Sequence, residues 1–91
     1  MLFCEQIRAA RSLLGWNQSV LAQQAELGIA TVRRLELLDG PARGNVETLW
    51  KIQAALENAG IEFIPGDKEK GPGVRLSKPY DAAPKHSQGG D

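Results

Sequence analysis

The chain has one cysteine, Cys4, and one histidine, His86. One of each cannot build a disulfide framework or a zinc cluster, and a lone cysteine fits a reducing compartment. His86 lies in a stretch rich in Gly, Ser, Pro and Lys, with no neighbour that would make it an acid or base. No window is long and apolar enough to span a bilayer, and Met1-Leu2-Phe3-Cys4-Glu5-Gln6 lacks the basic and long apolar regions of a secretory leader. A cytoplasmic location is expected, with no membrane partner. Ninety-one residues are too few for a TIM barrel or a two-half dinucleotide fold, so one small domain is expected.

Excess charge is missing too. Eleven basic side chains balance eleven acidic ones. Within residues 1–60, Arg8, Arg11, Arg33, Arg34, Arg43 and Lys51 stand against Glu5, Glu26, Glu36, Asp39, Glu47 and Glu57. A non-specific polyanion binder would show a basic surplus, so any nucleic-acid function must come from where the charges sit. No two polar residues make a credible acid, base or nucleophile pair. Gly71-Pro72-Gly73 has neither the Lys-Ser/Thr nor the helix that follows a phosphate-cradling loop. No catalytic residue, cofactor or metal is expected, and the chain is not read as an enzyme.

Apolar residues, 42% of the chain, are spaced for helices. Phe3, Ile7, Ala10 and Leu14 share one face of a first helix from about Phe3 to Leu14. Gly15 stands at the left-handed stop. Asn17 is a natural N-cap for a second helix over 18–25 with Leu21, Ala22 and Ala25 inward. After Glu26-Leu27-Gly28 a third helix runs from Ile29 to about Leu38 and ends at Asp39-Gly40-Pro41. Asn45 caps a fourth, Val46 to Ala59, carrying Leu49, Ile52 and Leu56. Ile61-Glu62-Phe63-Ile64 and Val74-Arg75-Leu76 then read as a hairpin with a long loop. A two-stranded ribbon is marginal alone, so it must lie on the helices or pair with another chain. From Ser77 onward little can be buried, and disorder is expected.

The expected fold is therefore mainly α: a compact bundle of about four helices over residues 1–60, a short β-hairpin over 61–76, and a disordered tail over 77–91. Two short helices joined by a turn of three or four residues, 16–36, make a helix-turn-helix. On the third helix, Val32 and Leu35 face the second helix, while Ala30, Arg33, Arg34 and Leu37 face away. A small residue and two arginines on an outward face suit a major groove, where Arg can bond guanine with two hydrogen bonds.

These residues carry a resemblance. The chain resembles the lambda-repressor-like (Xre-type) helix-turn-helix family in Gln6-Ile7-Arg8-Ala9-Ala10-Arg11, Gly15-Trp16-Asn17-Gln18, Leu21-Ala22 with Ala25, Thr31-Val32, Leu35-Glu36 and Thr48-Leu49-Trp50-Lys51-Ile52-Gln53-Ala54-Ala55-Leu56. Its ending, Ala59 to Pro65 with Gly71 to Leu76, looks like the tail of small single-domain members. The resemblance spans about residues 5–76. It implies that Gln18, beside the cap Asn17, touches a phosphate and braces a recognition residue. It places Ile29, Ala30 and Arg34 at base edges, with Gly28, Thr31 and Arg33 beside them. Arg43 and the amides near Asn45 fall in the loop that grips the backbone, where a helix N-terminus favours phosphate. Four residues depart from the pattern: Glu26 replaces a turn glycine, Gly28 replaces a Ser or Thr cap, Ile29 cannot hydrogen-bond a base, and Leu37 is apolar where a polar contact is common.

Other residues have plainer readings. Gln18 could be a first-turn residue on a solvated helix, and Arg33 a surface charge paired with Glu36. Arg8 and Arg11 serve the fold or Glu36. Trp16 is expected in the core between the first two helices, and Cys4 as a small apolar filler. Trp50 turns partly outward with Val46 and Gln53, which suggests an interface. Ile61, Phe63 and Val74 are expected to join it in a homodimer. The function expected is a sequence-specific regulator of double-stranded DNA: a dimeric repressor with helix 29–38 in the major groove. The alternative is a protein-interaction module, such as an antitoxin that holds a toxin partner and also represses its own operon.

Overall fold

In the computed structural model, which describes residues 1–79, most helix ends lie where free backbone groups find partners, the uncapped start of α3 at Gly28 being the exception. Helix α1 spans Cys4–Leu14. Phe3 is extended just before it, and the Gln6 side-chain oxygen accepts from the Phe3 amide at 2.9 Å. The helix ends on Gly15 at φ 70°, and the next amide, of Trp16, donates back to the Arg11 carbonyl at 3.0 Å. Left-handed backbone costs an L-residue about 1–2 kcal/mol, so glycine suits this stop.

Helix α2, Gln18–Ala25, starts under the Asn17 cap, whose Oδ1 accepts from the Val20 amide at 2.9 Å. It stops on Glu26, a non-glycine residue at φ 59°. Helix α3, Ile29–Glu36, begins after Gly28. It is two residues shorter than the spacing predicts. Arg8 explains why: its Nη1 donates to the carbonyls of Glu36 and Leu38 at 2.6 and 2.8 Å. A side chain thus takes carbonyls that further helical turns would have used, and the chain turns at Gly40 with φ 85°. Helix α4, Val46–Asn58, starts under Asn45, whose Oδ1 accepts from the Thr48 amide at 2.7 Å.

The chain is mainly α, with one antiparallel hairpin after the four helices. Strand β1, Ile61–Ile64, pairs with β2, Gly73–Leu76, in a register from Ile61 opposite Leu76 to Ile64 opposite Gly73. The second strand starts one residue earlier than its sequence suggests. Beyond it, where disorder is expected, the Ser77 amide still donates to the Gly60 carbonyl at 2.8 Å. The rest of the expected tail, residues 80–91 with His86, lies outside the described residues.

One core joins these elements. Ile7, Leu21, Val32, Ile52 and Leu56 are fully buried, with Ala10, Ala22, Ala25, Leu35, Ala55 and Ile61 around them. Each such aliphatic side chain contributes about 1.5–3 kcal/mol by leaving water. Cys4 is fully buried, as a small apolar filler should be. Trp16 is only half-buried, at the rim of the core rather than inside it. The hairpin lies on α1 and α4, and Gln6 pins it there. The buried Gln6 side chain donates from Nε2 to the carbonyls of Gly73 at 2.9 Å and Ile64 at 3.4 Å. No helix among the described residues is long and apolar enough to cross a membrane.

Candidate nucleic-acid interface

Helix α3 shows a sharp division between its two sides. Val32, Leu35 and Glu36 are buried, while Ala30, Arg33, Arg34 and Leu37 are exposed. Ile29 and Thr31 are half-buried, and Ile29 rests against the core. Of the residues expected at base edges, Ala30 and Arg34 therefore face fully outward. Ile29 can offer only part of its side chain, because the rest packs against the core. Gly28 is exposed, with open space where a Cβ would stand.

Behind this face lies a charged network that holds α3 to α1. Arg11 meets the Glu36 carboxylate with two bonds, Nε to Oε2 at 2.8 Å and Nη2 to Oε1 at 2.6 Å. Its third nitrogen, Nη1, donates to the Trp16 carbonyl at 3.0 Å. Glu36 is 6% exposed, so its charge needs these partners. The bond to Glu36 raises the Arg11 pKa above its ordinary value, against the opposing effect of burial. Arg8 completes the end of α3 through the two carbonyls and an ion pair with Asp39 at 2.9 Å. Arg8 and Arg11 thus act within the fold. Arg33 does not pair with Glu36, whose carboxylate is occupied by Arg11.

Gln18 belongs to the same network, since its Nε2 donates to Glu36 Oε1 at 3.0 Å. That bond ties the first turn of α2 to the end of α3. It leaves the Gln18 amide oxygen as an acceptor and its second N–H as a donor. Asn17 and Asn45 are exposed, and each spends its side-chain oxygen on capping a helix. The side-chain NH₂ groups of both donate no hydrogen bond among the described residues, so each helix start offers N–H donors to an anion.

The neutral charge total conceals an uneven distribution. Among the six cations of residues 1–60, Arg8, Arg11 and Lys51 pair with Asp39, Glu36 and Glu47. Arg33, Arg34 and Arg43 make no salt bridge among the described residues, and all three are exposed. They fall within eleven residues, on the outward side of α3 and the loop that follows it. Each of those pairs removes an acid as well, so Glu5, Glu26 and Glu57 remain beside them; what the fold adds is position, with the three unpaired arginines gathered on the outward side of α3 and the loop that follows it. Sequence reasoning connected Arg11 with Glu36 but missed Gln6 and the carbonyl-capping role of Arg8. Both act over long chain separations, and no local spacing signals them.

The residues expected at an interface separate. Ile61 is 2% exposed and belongs to the core, so it is not a surface for another chain. The hairpin lies back on the helices, and this buries the first residue of β1. Phe63 and Val74 are half-buried against the same core. Trp50, by contrast, is 67% exposed, beside Val46 at 83%. A groove of about 480 Å³, which sequence did not suggest, opens between α1 and the hairpin, lined by Phe3, Glu5, Gln6, Gly40, Pro72 and Val74. Among the described residues no three His, Cys, Asp or Glu side chains gather to hold a metal ion. Comparison with protein-family models finds no match, and comparison with curated proteins finds none either.

Proposed function

We propose that this chain is a sequence-specific, DNA-binding transcriptional regulator of the Xre type, a cytoplasmic repressor that acts as a homodimer by occupying its operator. The observation that carries the reading is the outward side of α3 and its following loop, where Arg33, Arg34 and Arg43 stand without salt bridges on a helix braced from behind by Arg11, Glu36 and Gln18. An eight-residue helix with two outward arginines and a small residue at Ala30 fits a major groove about 12 Å wide. Arg34 reads a base edge, while Arg33, Arg43 and the helix starts at Asn17 and Asn45 hold phosphates. One such helix reads one half-site. Two copies read half-sites roughly 34–36 Å apart.

Selection from pooled random duplex DNA at two salt concentrations tests this, with wild type beside Arg34→Ala. A two-fold symmetric site is expected. Arg34→Ala should relax one base position in each half-site and cost about 1–3 kcal/mol there, and the salt slope counts the phosphates neutralised. Failure to enrich any sequence at either salt refutes the reading.

The exposed Trp50 and Val46 favour a second reading, a module that holds a protein partner, as an antitoxin holds a toxin. Co-purification of the product of an adjoining gene, reduced by Trp50→Glu, is the outcome that supports it.

A further inference from the structure

The side of α4 opposite the core carries two exposed apolar residues, Val46 and Trp50, with the exposed carboxylate of Glu57 between them in angle. Steps of about 100° per residue place Val46, Trp50 and Glu57 within about 40° of one another and Trp50 about 160° from Ile52. The inner side, through Ile52, Ala55 and Leu56, meets α1, α2 and β1. The outer side leaves Val46 and Trp50 among the most exposed large apolar residues of those described. An exposed tryptophan at the middle of a helix face is the kind of residue that anchors protein interfaces.

The charges beside these residues indicate what covers them. Glu47 and Lys51 lie one turn apart on the same edge, 3.7 Å from each other. A two-fold axis through Trp50 sets two copies of α4 antiparallel and keeps that edge on the same side of both. Each residue then faces one in the second copy whose number sums with its own to about 100. Trp50 meets Trp50 of the second copy, and Val46 faces Ala54. Glu47 and Lys51 fall opposite Lys51 and Glu47 of the second copy, so every charge on the edge meets its opposite. A surface complementary to itself in this way suits an isologous contact.

We propose that two copies of this chain associate through the outer side of α4, antiparallel about Trp50. The proposal rests on the dimeric reading above and supplies its contact. Helix α4 is about 20 Å long and about 10 Å wide, well short of the roughly 800 Å² per partner of a stable interface. Association through it is therefore weak and depends on concentration.

Sedimentation equilibrium of the full chain without DNA, from micromolar concentrations to about 1 mM, tests this. Wild type should show a monomer–dimer equilibrium, and Trp50→Glu should abolish it. Glu47→Lys and Lys51→Glu should each weaken association about tenfold, since like charges then face each other twice. An equimolar mixture of those two variants should associate at least as well as wild type, because every facing pair is again opposite. Recovery on mixing cannot come from a change within one helix. Wild type that stays monomeric throughout, or variants whose association ignores charge and mixing, overturns the proposal and leaves the face to another protein. Loss of the DNA reading looks different: self-association persists while no DNA sequence is enriched.

Discussion

Arg11→Met should be among the most damaging single changes outside the apolar core. The Glu36 side chain is 2% exposed and that of Arg11 19%, and two hydrogen bonds join them at 2.6 and 2.8 Å. Removing one member of a buried ion pair costs about 3–5 kcal/mol, because the other charge stays desolvated and uncompensated. Arg11 is partly solvated, and Gln18 still donates to Glu36 Oε1, so about 2–4 kcal/mol is expected. A domain of this size has about 5–14 kcal/mol in all. With a urea m-value of about 1 kcal/mol per molar, the unfolding midpoint should fall by about 2 M or more. The double variant Arg11→Met with Glu36→Leu should recover most of the loss, since no buried charge then remains. A cost below about 1 kcal/mol, the range of exposed pairs, would refute the reasoning. So would a double variant no better than Arg11→Met alone.

Two further predictions concern local backbone and pH. Glu26→Gly relieves an L-residue held at φ 59° and should raise stability by about 0.5–1 kcal/mol, read as an increase in Tm; a decrease would mean the glutamate makes a contact that outweighs the strain. The bond from Arg75 holds the Glu62 carboxyl below the ordinary glutamate range, and amides of Lys70 and Glu69 do the same for Asp67. Because both folded-state pKa values are depressed, their contributions are complete above the unfolded values and are lost as pH falls through the folded ones. Carboxyl titration by NMR should show Glu62 rising toward its unfolded value in Arg75→Ala while Asp67 stays; an unchanged Glu62 would remove Arg75 as the cause.

The sequence by itself determined the local elements, because their causes are local. Apolar spacing set the inward side of each helix. Asn17 and Asn45 set the starts of α2 and α4, and Gly15 marked the stop of α1 because glycine adopts left-handed backbone without strain. The outward side of α3, with Ala30, Arg33 and Arg34, followed from helical phase alone. Tertiary structure decided what depends on partners distant in the chain. The end of α3 is set by Arg8, 28 residues from Glu36, and the seat of the hairpin by Gln6, 67 residues from Gly73. Helical phase already turned Trp50 outward, whereas the burial of Ile61 was not legible, since only packing reveals which side of the hairpin the helices cover. The neutral charge total likewise gained meaning only once the fold had placed the unpaired Arg33, Arg34 and Arg43 near one another. A net charge is a sum over the chain, whereas a surface potential depends on which charges the structure leaves uncompensated.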